Sequence, residues 1–217
     1  MDSIITTPRL KLTLVTTAER GSPEFNWIHD LRSNKQSSFW SLYGPTKSEE
    51  ETDKALKNML AKPHVEGDAK VWKIAYAVHE VLESSESRFI GLVSLRSIAD
   101  EETKEPPREG HASTATRLSL EIAYSFLPTA WGKGYATESI SALLEACGRV
   151  PAAYWAPYES VLVRAIVHHE NVPSQRVMEK CGMGEPGVLE FEGGNYFIAG
   201  YWQSKHRLFV YGKNVVG

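Results

Sequence analysis

Cysteine is scarce: Cys147 and Cys181 are the only two in 217 residues. Their separation fits neither a disulfide framework nor metal-ligand spacing, and so few thiols in a chain this long point to a reducing compartment. Excess positive charge is missing too. A net charge of −3 gives no electrostatic case for nucleic acid or an anionic lipid surface. No apolar run approaches the roughly 18 residues that a membrane helix needs. The start, Met1-Asp2-Ser3-Ile4-Ile5, lacks the basic segment and apolar stretch of a signal peptide. These absences lead us to expect a cytoplasmic chain with no membrane attachment. What is present is ordinary for a globular protein: 42% hydrophobic and 24% charged, enough to bury the core of one domain.

Alternation predicts a strand over 9–15, with Leu10, Leu12 and Leu14 on one side. Helices are expected over 23–31 and 46–62. The second has Ser48 as cap, Glu49 to Glu51 at its positive end, and Leu56, Met59 and Leu60 as its apolar stripe. Strand-like runs at 71–81 and 88–97, joined by a short polar link, read as an antiparallel hairpin. Residues 99–117 carry two prolines, several acids and almost no large apolar group, which predicts an exposed loop between strands. A strand follows over 118–127. One face carries Leu118, Leu120, Ile122, Tyr124 and Phe126, and the other Ser119, Glu121, Ala123 and Ser125. A helix over 135–149 has Ile140, Leu143, Leu144 and Cys147 at helical spacing. A loop over 151–158 leads to a largely apolar run at 161–167, as expected of a strand covered on both faces. A short helix at 173–180 stops near Gly182, and strands at 187–192, or slightly longer, and 206–211 close the chain. There is no internal repeat.

The informative unit is the turn between the 118–127 strand and its helix: Trp131-Gly132-Lys133-Gly134-Tyr135-Ala136-Thr137-Glu138. Glycines allow a tight turn whose backbone can approach a ligand. The helix that follows opens with unpaired N–H groups and a positive dipole end. Together these make a cradle for a diphosphate, to which Lys133 adds charge. Alone the pattern is weak, since Gly132 and Gly134 can simply permit the turn and Trp131 can simply pack beneath it. A second feature downstream gives it weight: Asn171-Val172-Pro173-Ser174, then Gln175 to Cys181, then Gly182-Met183.

In these two segments the chain resembles the GNAT superfamily of N-acetyltransferases. Trp131-Gly132-Lys133-Gly134-Tyr135-Ala136 is similar to the family's acyl-CoA motif, Gln/Arg-x-x-Gly-x-Gly/Ala, except that Trp131 replaces Gln or Arg. Asn171-x-x-Ser174-x-x-x-Met178-Glu179-Lys180-x-Gly182-Met183 looks like its second cofactor-side motif. With Thr7-Pro8-Arg9-Leu10 near the start, the set is most similar to the Rim-type branch that acetylates ribosomal-protein N-termini. The resemblance spans nearly the whole chain, but only 118–183 is specific. It implies an α+β fold of αβα layers, with a central mixed, mostly antiparallel, splayed sheet flanked by helices. It also implies one domain over 1–217. The strands near 118–127 and 161–168 would part to admit the pantetheine arm of acetyl-CoA, the implied co-substrate. The arm would pair with main-chain groups of Tyr124, Ser125 and Phe126. The diphosphate would rest on Gly132, Lys133, Gly134, Tyr135, Ala136 and Thr137 beside Trp131, and Asn171 would bond the arm. No metal is implied.

Direct transfer to an amine needs a base, an oxyanion donor and help for the leaving thiolate. Glu121 lies on the strand face of small residues and is the candidate base, acting through water. The alternative is a carboxylate fixed in a structural network. The oxyanion donor would be a backbone N–H near Ala123 or Tyr124. Many family members place on the late helix a Tyr that protonates the thiolate, and that position is Met178 here. Ser174 is the substitute, with a helix N-cap as its other reading. His168 and His169, adjacent on a strand, should point to opposite faces and share no metal. Trp40 and Tyr43, and separately Tyr154, Trp155 and Tyr158, border the acceptor or only pack. The 99–117 loop reads as solvated chain, or as a steering element for a cationic acceptor.

Three functions compete. The first is an N-acetyltransferase acting on a primary amine, a protein N-terminus or a small molecule, as monomer or homodimer. The second is an acyl-CoA-binding sensor that has lost its chemistry. The third is a dinucleotide-dependent oxidoreductase. That last reading ranks low, because the glycine turn falls late in the chain and Thr137 stands at the third glycine's place.

Overall fold

The computed structural model describes residues 1–61, 70–84, 86–98 and 117–217. Its elements in chain order are β1 (Ile4–Thr6), β2 (Leu10–Leu14), α1 (Pro23–Ser33), α2 (Glu49–Met59), β3 (Lys73–Val81), β4 (Ser87–Ser97) and β5 (Arg117–Phe126). Then come α3 (Tyr135–Arg149), α4 (Ala152–Trp155), β6 (Ser160–His168), α5 (Val172–Lys180), β7 (Gly187–Ile198) and β8 (Tyr201–Val216). The strands form one sheet in the order β1-β2-β3-β4-β5-β6-β8-β7. Every neighbouring pair is antiparallel except β5 and β6.

Local chemistry starts α1 at Pro23, as the sequence predicts, and α2 at Glu49, directly after its expected cap Ser48 but later than the expected 46. Ser22 accepts from the Phe25 amide at 3.2 Å, with Pro23 opening α1. Ser48 accepts from the Glu51 amide while the Glu51 carboxylate reaches back to the Lys47 amide, a reciprocal cap on α2. α2 ends at Met59, short of the expected 62, and residue 62 lies outside the described set, as does 99–116 of the predicted loop. β3 begins at Lys73 and β1 was unread.

Alternation in the strands feeds two cores on opposite faces of the sheet. On one face α1 and α2 pack Phe25, Ile28, Leu31 and Leu56 against Ala75, Ala77 and Leu92. On the other, α3 packs Ile140, Leu143, Leu144 and Cys147 against Tyr76, Val93, Leu120 and Val163. The last two strands are much longer than predicted. Their register shifts between Glu192 and Tyr196, around Gly193 and Gly194, which both adopt positive φ. The hairpin turns at Ala199-Gly200, both left-handed.

Candidate active site

β5 and β6 run as a parallel pair only from Arg117↔Ser160 to Glu121↔Arg164. Beyond that point β5 stays on β4 as far as Gly91↔Phe126, while β6 stays on β8 as far as His168↔Leu208. Each strand keeps its outer neighbour, so the two separate into a gap lined by the ends of β5 and β6.

The register decides which main-chain groups face that gap. Ile98 N donates to Ser119 O at 3.0 Å and Leu127 N to Ile90 O at 2.9 Å. The odd-numbered residues of β5 therefore bond β4, and the even-numbered ones present their amides and carbonyls toward β6. Of the three expected main-chain partners, Tyr124 and Phe126 face the gap. Ser125 is the correction: its backbone turns to Leu92, and its Oγ donates to Ser37 O at 2.9 Å. The Phe126 carbonyl is taken as well, by Trp131 Nε1 at 2.8 Å and Ser37 Oγ at 3.1 Å. Trp131 does not pack beneath the turn. Its ring is half exposed and it ties the turn to the end of β5.

The turn fits an anion. Gly132 and Gly134 have φ of 74° and 82°, a region that favours glycine, and a Cβ on Gly132 would meet nothing within 4 Å. Among the described residues, the Gly132, Lys133 and Gly134 amides donate to no main-chain carbonyl. Gly134 caps α3, and the first amide bonded back is Glu138 N to Gly134 O at 3.0 Å, which leaves Tyr135, Ala136 and Thr137 as the open first turn. The Tyr135 side chain is buried and donates to Glu80 Oε1 at 2.6 Å.

The candidate catalytic side chains lie on opposite faces of β5. Glu121, at the last parallel pair, faces the α1–α2 side, where Leu92 is registered with Ser125. Its carboxylate pairs with the half-exposed Arg96 at 3.0 Å. Ala123, next on that face, is exposed. Tyr124 faces the other side and reaches α5, where its hydroxyl lies 2.7 Å from Ser174 Oγ. Burial pushes the Tyr124 phenol up to about 12, against a smaller opposing effect of the Ser174 bond. The cap of α5 is Asn171, whose Oδ1 accepts from Ser174 N at 3.3 Å, so Ser174 is not the N-cap and its hydroxyl is free for Tyr124. Met178 is fully buried in the core. Sequence reading used Tyr124 only for its backbone. Its parity with Leu120 and Ile122 was the signal that its phenol points to the α5 side.

The segment between α1 and α2 spans the mouth of the gap. Ser37 bonds the end of β5, and the Trp40 ring lies 5.5 Å from His168 at the end of β6. Ala199 N at the hairpin tip donates to Phe39 O at 3.0 Å and holds this segment from outside. Tyr43 is exposed. The His168 and His169 rings are 4.5 Å apart, not on opposite faces, because β6 stops at His168 and alternation stops with it. Burial, with His169 beside it, pushes His168 down, which keeps it neutral. Tyr154, Trp155 and Tyr158 cluster with Trp72 at the start of β6, the opposite end from the gap. Trp155 is fully buried and donates to Cys147 O at 3.3 Å, so this group is core.

The family model for the acetyltransferase (GNAT) domain matches residues 9–184. No curated protein matches the sequence significantly. Among solved structures, the chain is similar to a GNAT-family acetyltransferase from Bacillus anthracis, at 19% identity, TM-score 0.60 and 98% coverage of both chains. It is similar to the spermidine N-acetyltransferase of Vibrio cholerae, solved with CoA and spermine, at 22% identity and TM-score 0.56, over 92% of this chain and 95% of that one. It is also similar to RimL, a ribosomal L7/L12 alpha-N-protein acetyltransferase solved with CoA, at 17% identity and TM-score 0.61 over 97% of each chain. At these identities the likeness is one of fold.

Proposed function

Because the chain belongs to the GNAT family of acetyltransferases, which take acetyl-CoA as co-substrate, we propose that it acetylates a primary amine directly across the β5–β6 gap. The observation that carries this reading is the placement of Glu121 and the Tyr124–Ser174 pair on opposite faces of one strand, at the point where the sheet opens. Acetyl-CoA supplies the activated acetyl group: its C–S bond breaks as the C–N bond to the amine forms. Glu121 takes, through a water, the proton the attacking amine sheds. The Tyr124 N–H donates to the acyl oxygen as charge builds there, since the Ala123 N–H is turned to β4. Ser174 donates to the departing sulfur, and Tyr124 donates to Ser174, so that the seryl proton is aimed outward. The Gly132–Thr137 amides hold the diphosphate, and Asn171, its Oδ1 engaged as the cap, offers Nδ2–H to the pantetheine arm. The two cores share one sheet, which supports reading 1–217 as one domain. The two free, buried cysteines support a reducing, cytoplasmic location.

For the acceptor we favour a peptide N-terminus over a polyamine. A chain of several cations wants several open carboxylates. Among the described residues, Glu121 is already paired with Arg96, and Glu170 accepts from Tyr201 at 3.3 Å. The border is aromatic instead, with Trp40 at the mouth and Phe39 beside the hairpin tip. RimL is named for a protein N-terminus and the Vibrio cholerae enzyme for spermidine, so both acceptors belong in the test. The protein is incubated with acetyl-CoA and matched peptides, small amines and polyamines, and thiol release and acetylated product are followed. Peptide product is expected. Preference for spermidine refutes the acceptor assignment, and CoA binding without product from any amine refutes the catalytic reading.

A further inference from the structure

Arg9 stands in the turn between β1 and β2, far in sequence from the glycine turn, and its side chain is half exposed. Yet nearly all its contacts are with the start of α3. Its Nη1 donates to Lys133 O at 3.0 Å, and its Nε to Glu138 Oε2 at 2.7 Å. Nη2 lies 2.5 Å from the same oxygen, and the Arg9 amide donates to Glu138 Oε1 at 3.2 Å. Thr7 Oγ1 adds a bond of 2.6 Å to that second oxygen. The guanidinium also lies 4.8 Å from the centre of the Tyr135 ring, whose hydroxyl is anchored on Glu80.

Two consequences follow for the turn. A peptide unit is planar and trans, so its C=O and N–H point in opposite directions. Holding the Lys133 carbonyl on the Arg9 side therefore turns the Gly134 N–H away from Arg9. The second consequence is electrostatic. Glu138 puts a carboxylate on the first turn of the helix proposed to receive a diphosphate. An anion there suits the helix dipole but opposes a second anion. Burial alone would raise the Glu138 carboxyl, but the bonds from Thr7 and Arg9 outweigh it and hold it below its ordinary range, so the carboxylate stays charged and needs its cation.

We infer that Arg9 is a positioning residue for the CoA diphosphate: it locks the Lys133–Gly134 peptide with its N–H outward and cancels the charge of Glu138, so that the cradle is formed before the nucleotide arrives. This rests on the reading that Gly132–Thr137 receives the diphosphate. It gives the Thr7-Pro8-Arg9-Leu10 segment a role in cofactor affinity, with none in the transfer step.

The test compares acetyl-CoA with acetyl-pantetheine, a thioester that lacks the diphosphate, in wild-type protein and in Arg9→Ala, Arg9→Lys and Arg9→Ala/Glu138→Gln. Arg9→Ala should weaken CoA binding by about 10- to 100-fold, the loss expected of charge-assisted bonds. Its kcat at saturating acetyl-CoA and its use of acetyl-pantetheine should be unchanged. Arg9→Lys keeps the charge without the fork and should recover only part of the affinity. Adding Glu138→Gln to Arg9→Ala should restore part of it too, because no uncompensated carboxylate remains. The inference is overturned if Arg9→Ala binds CoA as wild type does, if it loses both thioesters equally, or if the double variant binds CoA no better than Arg9→Ala. Failure of the cradle reading looks different: wild-type protein would then bind acetyl-pantetheine as tightly as acetyl-CoA.

Discussion

Replacing Tyr124 with Phe removes one oxygen and leaves the ring, including its tilted contact with Phe126 at 6.3 Å. The lost bond is the 2.7 Å contact with Ser174. As a neutral hydrogen bond it contributes about 1 kcal/mol to folding, too little to unfold the chain. Its effect on transfer should be larger. An alkyl thiol titrates near 8.5, whereas burial holds the Tyr124 phenol at about 12. Moving a proton fully from phenol to thiolate would thus be uphill by about 5 kcal/mol. The pair is better suited to donating a hydrogen bond while negative charge builds on sulfur, with solvent supplying the proton afterwards. A charge-assisted bond of this kind is worth about 1.5–3 kcal/mol, so kcat should fall about 10- to 150-fold with CoA affinity unchanged. Ser174→Ala should fall by a similar factor. The double variant should fall little further, because the two hydroxyls act as one device. The decisive assay varies the leaving group: a thioester of a more acidic thiol needs less help, so the Tyr124→Phe deficit should shrink with it. A wild-type kcat, a deficit constant across leaving groups, or losses that multiply in the double variant would each refute the reasoning.

Glu121→Gln should lower kcat near neutral pH by about 10²- to 10⁴-fold while sparing CoA affinity. It should change stability by less than about 1 kcal/mol, since the Arg96 partner is half exposed; wild-type turnover would remove Glu121 as base. Gly91→Ala would place a Cβ 2.5 Å from Phe126 Cδ1 and 2.6 Å from Ser125 O. It should cost at least about 1–3 kcal/mol in a denaturant titration, and it should impair turnover too, because the displaced residues end β5; an unchanged midpoint would contradict this. Burial raises Tyr124 and Cys147 each to about 12 in the folded chain. The native state therefore keeps protons that the unfolded chain releases. The resulting stability is fully present below about pH 9 and lost as pH rises toward about 12, by a few kcal/mol. Chemical denaturation between pH 8 and 11 checks the sign, and a flat profile would exclude it.

Legibility in the sequence followed the range of the interaction. Alternation along 118–127 sorted the β5 side chains onto their two faces, and that sorting holds, with Leu120 and Ile122 buried and Ala123 exposed. Ser22 and Ser48 announced their helices because capping is local. β1 was missed because three residues are too few to show a period. β7 and β8 were cut short because Gly193-Gly194 and Ala199-Gly200 look like strand ends, whereas they form a bulge and a tight turn inside one long hairpin. The Tyr124–Ser174 bond joins residues 50 apart and the Arg9–Glu138 pair residues 129 apart. No periodicity in either segment encodes such a contact. The expectation that His168 and His169 point to opposite faces failed for a local reason: alternation was carried one residue beyond the strand.

The glycine turn shows in the residues themselves and the gap only through the family resemblance, and one physical difference accounts for both. A turn with positive φ restricts which residues can stand there, so Gly132 and Gly134 leave a trace. The edge of the gap offers only main-chain groups, which every residue carries. Main-chain groups left unpaired at Tyr124 and at the Phe126 N–H are costly if buried, at about 1–3 kcal/mol each, so an arm bearing amides would have something to pair with there. The edge is also shorter than the backbone suggests, because Trp131 and Ser37 already occupy the Phe126 carbonyl. With the Tyr124 N–H assigned to the acyl oxygen, the arm would be left the Tyr124 carbonyl and the Phe126 N–H. The one departure from the glycine motif, Trp131 in place of Gln or Arg, thus joins the turn to the edge of the gap. Its indole occupies the last carbonyl of β5, which under the proposed function would limit how far along the strand an extended arm could pair.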